Sequence, residues 1–185
     1  MMKIALTGGI GTGKSFVAMD FIAMGIPVFC ADDEAKKLYD NDSFLKDFKK
    51  EFPGKDLLND NILNNEFLKK SFYDEEFLRK LSLFVQPYVM KKFDEWCNLQ
   101  TSDSVIMESA IIYEYGLEKH FDLVIVVDAP LDLRIKRLKI RNPELSYEDI
   151  RTRISRQMSQ ETKCAKADLV IYTGDTYKEM KYPNI

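Results

Sequence analysis

Eight consecutive residues near the start of the chain, Gly8-Gly9-Ile10-Gly11-Thr12-Gly13-Lys14-Ser15, restrict what it can fold into more than any other segment. They follow the apolar, strand-like run Lys3–Leu6 and open the amphipathic helical pattern Lys14–Met24. Glycines at such positions let the backbone take positive φ and bring N–H groups against phosphate oxygens. The N-terminus of the following helix adds partial positive charge at the same place. In a G-x-x-x-x-G-K-[ST] segment set between strand and helix, the lysine reaches the β- and γ-phosphates and the hydroxyl ligates Mg²⁺. Lys14 and Ser15 therefore predict a site for ATP with Mg²⁺. A glycine-rich turn with a solvated lysine is the competing reading, and it leaves the strand–loop–helix setting unexplained.

Four more apolar runs resemble the first: Pro27–Cys30, Ser104–Met107, Leu123–Val127 and Leu169–Tyr172. None alternates cleanly, which predicts strands buried on both faces in a parallel sheet. Helical patterns such as Leu131–Ile140 separate them, so the expected fold is a P-loop three-layer α/β/α domain with a five-stranded parallel sheet, spanning residues 1–185. Between the second and third runs, Asp33–Tyr39, Phe44–Glu51, Asn65–Ser71, Glu75–Phe84 and Tyr88–Leu99 read as amphipathic helices without a strand. Pro53-Gly54 signals a turn, and Pro87 suits a helix start. We read residues 33–99 as a helical substrate-binding insertion. Ordinary crossover helices are the alternative, disfavoured by the length of the segment.

Composition narrows the function classes. With a net charge of −3 and a pI near 5.4 over 185 residues, the chain has no global attraction for nucleic acid. Cys30, Cys97 and Cys164 are odd in number and far apart, which argues against disulfides or a zinc site and fits a reducing cytoplasm. No apolar run approaches the roughly 20 residues of a membrane span. A cytoplasmic monomer without nucleic-acid or membrane partners is expected.

Phosphoryl transfer needs more than phosphate binding. Asp32 follows the second strand-like run, at the edge where open α/β sheets place ligands, and there a carboxylate can take the proton of an acceptor hydroxyl. The competing role for Asp32 or Asp33 is to cap a helix from Glu34. Glu108 ends the third run and is a candidate to support Mg²⁺ through water or to contact the acceptor, although many strand ends carry an acid without function. Arg134, Arg137 and Arg141 share a helical face, and Asn142-Pro143 breaks that helix before the capping-box sequence Ser146-Tyr147-Glu148-Asp149. This hinged hairpin, residues 134–157, reads as a lid, with Arg137 and Arg141 as nucleotide contacts and Arg141 preferred. A solvated charged face is the plain alternative.

The residues also resemble a known family. Leu6-Thr7 with the glycine segment through Ser15 is similar to the L-T-G-G-I-G-[ST]-G-K-S opening of the dephospho-CoA kinases, and Ala31-Asp32 to the end of their D-A-D. Ala110-Ile111-Ile112-Tyr113-Glu114 resembles P-L-L-F-E, and Asp122 to Pro130 resembles D-x-V-x-V-V-x-A-P. Arg134, Arg137-Leu138, Arg141, Arg156-Gln157 and Ala167-Asp168-Leu169-Val170-Ile171 follow in family order. The resemblance implies ATP-dependent phosphorylation of the ribose 3′-hydroxyl of dephospho-CoA. It implies that Gly11, Thr12, Gly13, Lys14, Ser15 and Phe16 wrap the ATP phosphates, with Asp32, Lys14 and Arg141 catalytic. Thr7, Asp32 and Glu108 would face the acceptor.

Five departures stand out: Cys30 for the first acid of D-A-D, Gln86 for a histidine before Pro87, Phe16 for threonine, Ala110 for proline, and Tyr172-Thr173 for a strand end that often carries asparagine. Two other readings stay open. One is a kinase with a nucleotide acceptor; the other is a catalytically silent ATP-binding sensor.

Overall fold

The computed structural model describes residues 1–53, 58–59, 62–63 and 74–174. In chain order these form β1 (Met2–Thr7), α1 (Lys14–Ala23), β2 (Val28–Cys30), α2 (Ala31–Lys37), α3 (Asp42–Glu51), β3 (Leu58–Asn59), β4 (Ile62–Leu63) and α4 (Glu75–Cys97). They continue with β5 (Ser104–Glu108), β6 (Leu123–Asp128), α5 (Leu131–Arg141), α6 (Tyr147–Ser155), α7 (Gln160–Lys166) and β7 (Leu169–Tyr172). Two compact units result: Met1–Cys30 with Gln100–Ile185, and Ala31–Leu99.

The first unit is a five-stranded sheet ordered β2-β5-β1-β6-β7, and every pairing is parallel. All five apolar runs of the sequence are its strands. Its centre is dry: Leu6, Val17, Ile106, Ile125, Val127 and Ile171 are almost fully buried in one cluster, with α1 supplying Val17, Ala18 and Phe21. Because β1 lies between β5 and β6, the loop leaving β1 emerges at the middle of the sheet's C-terminal edge. Open α/β sheets bind ligands at that edge.

The second unit is built on aromatic packing. Phe44, Phe48 and Phe52 of α3 and its C-terminal end meet Phe77, Phe84 and Tyr88 of α4, with ring centroids as close as 5.1 Å between Phe44 and Tyr88. Phe44, Phe48, Phe52 and Phe77 are buried core, and Phe84 and Tyr88 are half-buried beside them. Three local expectations need correction. Glu75–Phe84 and Tyr88–Leu99 are one helix, and Pro87 lies inside it rather than at a start. The reason is a buried stripe at every fourth position, Phe77, Leu81, Val85, Val89, Phe93 and Cys97, which runs across the proline. Such packing outweighs the roughly 3 kcal/mol that an interior proline costs. Next, β3 and β4 pair antiparallel as two-residue strands where none was expected. Finally, α2 begins at Ala31, so neither Asp32 nor Asp33 caps it. The helix read at Asn65–Ser71 and the Gly54 half of the expected turn lie outside the described residues.

Candidate active site

The glycine segment is shaped by contacts that glycine alone permits. Gly11 has φ +83°, and a Cβ there would come within 2.8 Å of the Arg134 carbonyl oxygen. A Cβ on Gly8, at φ +145°, would collide with the Val127 carbonyl. Gly13 then starts α1 without any side-chain cap on the first N–H groups. The helix therefore leaves its positive end open.

The loop's carbonyls and N–H groups are treated differently. Every carbonyl from Gly9 to Gly13 accepts a hydrogen bond from the protein. Thr12 Oγ1 donates to Gly9 O at 2.9 Å and Lys14 Nζ to the same atom at 3.3 Å. Arg134 Nε donates to Ile10 O at 3.0 Å, and Arg137 Nη1 to Gly11 O and Thr12 O at 3.3 and 3.2 Å. Thr173 Oγ1 donates to Thr12 O at 2.6 Å, and Phe16 N to Gly13 O at 3.0 Å. The N–H groups of Gly11, Gly13 and Ser15 donate to no partner among the described residues. The carbonyls are filled and three N–H groups are left over at the helix N-terminus, the arrangement that binds a phosphate chain.

Several expected site residues are placed by this frame. Lys14 is 9% exposed and folded back on the loop, whereas Ser15 and Phe16 stand exposed on the first turn of α1. Arg137 is half-buried beneath the loop and also donates to Thr173 Oγ1 and Gly174 O. Arg141 is exposed at the end of α5. Thus the helical face expected to carry Arg134, Arg137 and Arg141 together splits: the first two reach under the loop and the third reaches solvent. Arg134, which sequence reasoning left without a role, is 5% exposed. Burial pulls its pKa down, and Asp128 and Glu161 oppose that pull. Removing Arg137 should leave the Gly11 and Gly174 carbonyls uncapped, while Thr12 O keeps its bond from Thr173 Oγ1. We expect Arg137→Met to lower stability by about 1–3 kcal/mol, read as a shift in the thermal unfolding midpoint.

On β2 and β5, Cys30 and Glu108 are register partners, and the Cys30 thiol donates to Glu108 Oε2 at 3.6 Å. Thr7 is fully buried at the end of β1, and its hydroxyl has no hydrogen-bond partner among the described residues. Asp32 is exposed in the first turn of α2. Its neighbours are engaged along the helix, Asp33 with Lys36 at 2.9 Å and Glu34 with Lys37, while Asp32 makes no such pair. The capping box is present, with Ser146 Oγ accepting from Asp149 N and Asp149 Oδ2 from Ser146 N, both at 3.0 Å.

Gln157, which the sequence offered only as part of the Arg156-Gln157 match, and Gln160, which it did not single out, complete the loop's surroundings. The Gln157 amide oxygen accepts from Ile10 N at 2.7 Å and that of Gln160 from Gly9 N at 2.9 Å.

A parallel sheet in this order, with a carbonyl-capped glycine loop at its central strand, defines a P-loop kinase fold. Solved structures agree. One from Thermus thermophilus superposes with a TM-score of 0.80 at 31% identity, covering 94% of this chain and 90% of that one. Dephospho-CoA kinase from Campylobacter jejuni gives 0.64 at 26%, covering 96% and 90%. Shikimate kinase from Aquifex aeolicus shares the fold at 0.53 and 18%, covering 96% and 90%. The profile of the dephospho-CoA kinase family matches residues 2–179. The Bacteroides fragilis dephospho-CoA kinase is 35% identical over 172 residues, 92% of this chain and 83% of the relative. The Bartonella henselae one is 36% identical over 178 residues, 94% and 90%. The chain belongs to the dephospho-CoA kinase family and is a phosphotransferase.

Proposed function

We propose that the chain transfers the γ-phosphoryl group of ATP to the ribose 3′-hydroxyl of dephospho-CoA, giving coenzyme A and ADP, the last step of coenzyme A synthesis. The observation that carries the nucleotide half is the sorted polarity of the loop, with carbonyls capped and the N–H groups of Gly11, Gly13 and Ser15 left to a ligand. Family membership carries the acceptor half.

In this reading the segment Gly11, Thr12, Gly13, Lys14, Ser15 and Phe16 cradles the triphosphate, and Lys14 moves from the Gly9 carbonyl to the β- and γ-phosphates. The Ser15 hydroxyl is exposed and donates to nothing among the described residues, which suits a hard cation that takes oxygen ligands. Mg²⁺ held there would neutralise charge building on the phosphate oxygens. Asp32 accepts the proton of the attacking hydroxyl, Arg137 and Arg141 serve the nucleotide, and Thr7 and Glu108 belong to the acceptor side. Residues 134–157 act as the lid and 33–99 as the acceptor-binding insertion. The enzyme works as a monomer in the cytoplasm, without nucleic-acid or membrane partners. No helix among the described residues is long and apolar enough to cross a membrane.

The test is a coupled ADP-release assay with a panel of acceptors. Turnover is expected with dephospho-CoA, dependent on Mg²⁺, and not with nucleosides, nucleoside monophosphates or shikimate. Phosphorylation of a nucleotide in place of dephospho-CoA would overturn the acceptor. ATP binding without turnover on any acceptor would make the chain a sensor.

A further inference from the structure

We infer that Gln157 and Gln160 are positioning residues of the nucleotide loop, a clasp that pre-sets its N–H groups for phosphate; the inference rests on the reading of this loop as the ATP site.

The loop has a mechanical problem. Gly8, Gly9, Gly11 and Gly13 give it the shape it needs and also great freedom, and an anion site works best when its donors need no reorganisation. Peptide groups at its start must therefore be held by something other than their own side chains. Three contacts do this. Gln160 takes the Gly9 N–H at 2.9 Å, Gln157 takes the Ile10 N–H at 2.7 Å, and Arg134 Nε holds the Ile10 carbonyl at 3.0 Å. Fixing Ile10 on both its polar groups fixes the orientation of the peptide that leads into Gly11.

The clasp is itself anchored. Gln157 lies in the short junction between α6 and α7, and Gln160 opens α7 behind the Ser159 cap, whose hydroxyl accepts from Thr162 N at 3.1 Å. The Gln160 amide is oriented by donating to Val127 O at 2.9 Å. Between the two glutamines, Met158 N donates to Glu114 Oε1 at 3.0 Å, and the same oxygen receives Lys163 Nζ at 2.7 Å. Lys163 also donates to Ala110 O at 2.6 Å. The buried Lys163–Glu114 pair thus holds the backbone of the residue next to Gln157, and through it the first residues of the loop.

The choice of residue type is informative. Two N–H groups that would otherwise attract an anion are satisfied by neutral oxygens. A carboxylate would satisfy them equally well and would add a negative charge beside the phosphates, within the roughly 8 Å over which charges act at physiological ionic strength. Glutamine gives the brace without the repulsion.

The experiment measures ATP affinity by titration calorimetry, thermal unfolding, and KM for ATP against kcat, in the full chain carrying Gln157→Ala, Gln157→Glu or Gln160→Ala. Gln157→Ala should weaken ATP binding roughly ten-fold or more, because it leaves a loop N–H unheld. The change should fall mainly on KM rather than kcat. Gln157→Glu should unfold at the wild-type temperature yet still bind ATP poorly, and that loss should shrink as salt rises. A purely structural role would instead show rescue of both properties by the glutamate.

Wild-type ATP affinity in both alanine variants, or in Gln157→Glu at low salt, would overturn the inference. Should Gln157→Ala fail to fold, Gln157→Glu alone decides. If wild-type protein binds ATP but does not turn over dephospho-CoA, the acceptor assignment fails while the clasp is still judged by ATP affinity.

Discussion

Asp32→Asn is expected to lower kcat by about 10²–10⁴-fold while leaving ATP affinity within about two-fold of wild type. The exchange preserves shape and hydrogen bonding but removes the group that takes the acceptor proton. At about 1.4 kcal/mol per decade the loss corresponds to roughly 3–5 kcal/mol of transition-state stabilisation. The structure supplies the control. Ala31 opens α2, and Asp32, Asp33 and Glu34 all fall in its first turn, where negative charge suits the helix dipole. Dipole stabilisation alone would make the three acids interchangeable. Yet Asp33 and Glu34 are paired with Lys36 and Lys37, and Asp32 has no partner among the described residues. Asp33→Asn should therefore retain near wild-type turnover. Steady-state kinetics with dephospho-CoA, alongside calorimetric titration of ATP, separates the cases. Full activity in Asp32→Asn, or an equal loss in Asp33→Asn, would remove Asp32 from the role of base.

What could be read from the sequence was what short range determines. The nucleotide loop is legible because strand, glycines, lysine and helix are contiguous, and the five strands because burial on both faces leaves unbroken apolar runs. The capping box is a four-residue motif with its own geometry. Pro87 misled because a local helix-breaking rule was set against a longer-range pattern. The stripe from Phe77 to Cys97 was present in the sequence, and its unbroken spacing across the proline was the signal for one helix. The loop's supports are another matter. Gln157 and Gln160 meet Ile10 and Gly9 across 147 and 151 positions, and nothing about an isolated glutamine announces such a partner. Arg134 and Arg137 were visible as basic residues on one face, but only the fold shows that their guanidinium groups serve backbone carbonyls.

The second large effect is on stability, at Lys163. Its side chain is fully buried, and burial depresses its pKa while Glu114 works in the opposite direction. Glu114 is itself largely enclosed, at 14% side-chain exposure. Taking charges out of water costs several kcal/mol each, and here the 2.7 Å contact with Glu114 and the 2.6 Å bond to Ala110 O offset that cost. Lys163→Met would fill similar volume but leave the Glu114 carboxylate buried opposite a thioether. We expect a loss of about 3–5 kcal/mol, the usual consequence of removing one member of a buried pair. For a chain of this size that is a fall in melting temperature of roughly 2–4 °C per kcal/mol. Lys163→Met combined with Glu114→Gln should recover part of the loss. No uncompensated charge then remains, and the amide oxygen introduced by Glu114→Gln can still accept from Met158 N. Denaturant unfolding of the two single variants and the double variant closes the cycle. Strict additivity would mean that the pair is not coupled, and that Lys163 stabilises the fold through its bond to the Ala110 carbonyl alone.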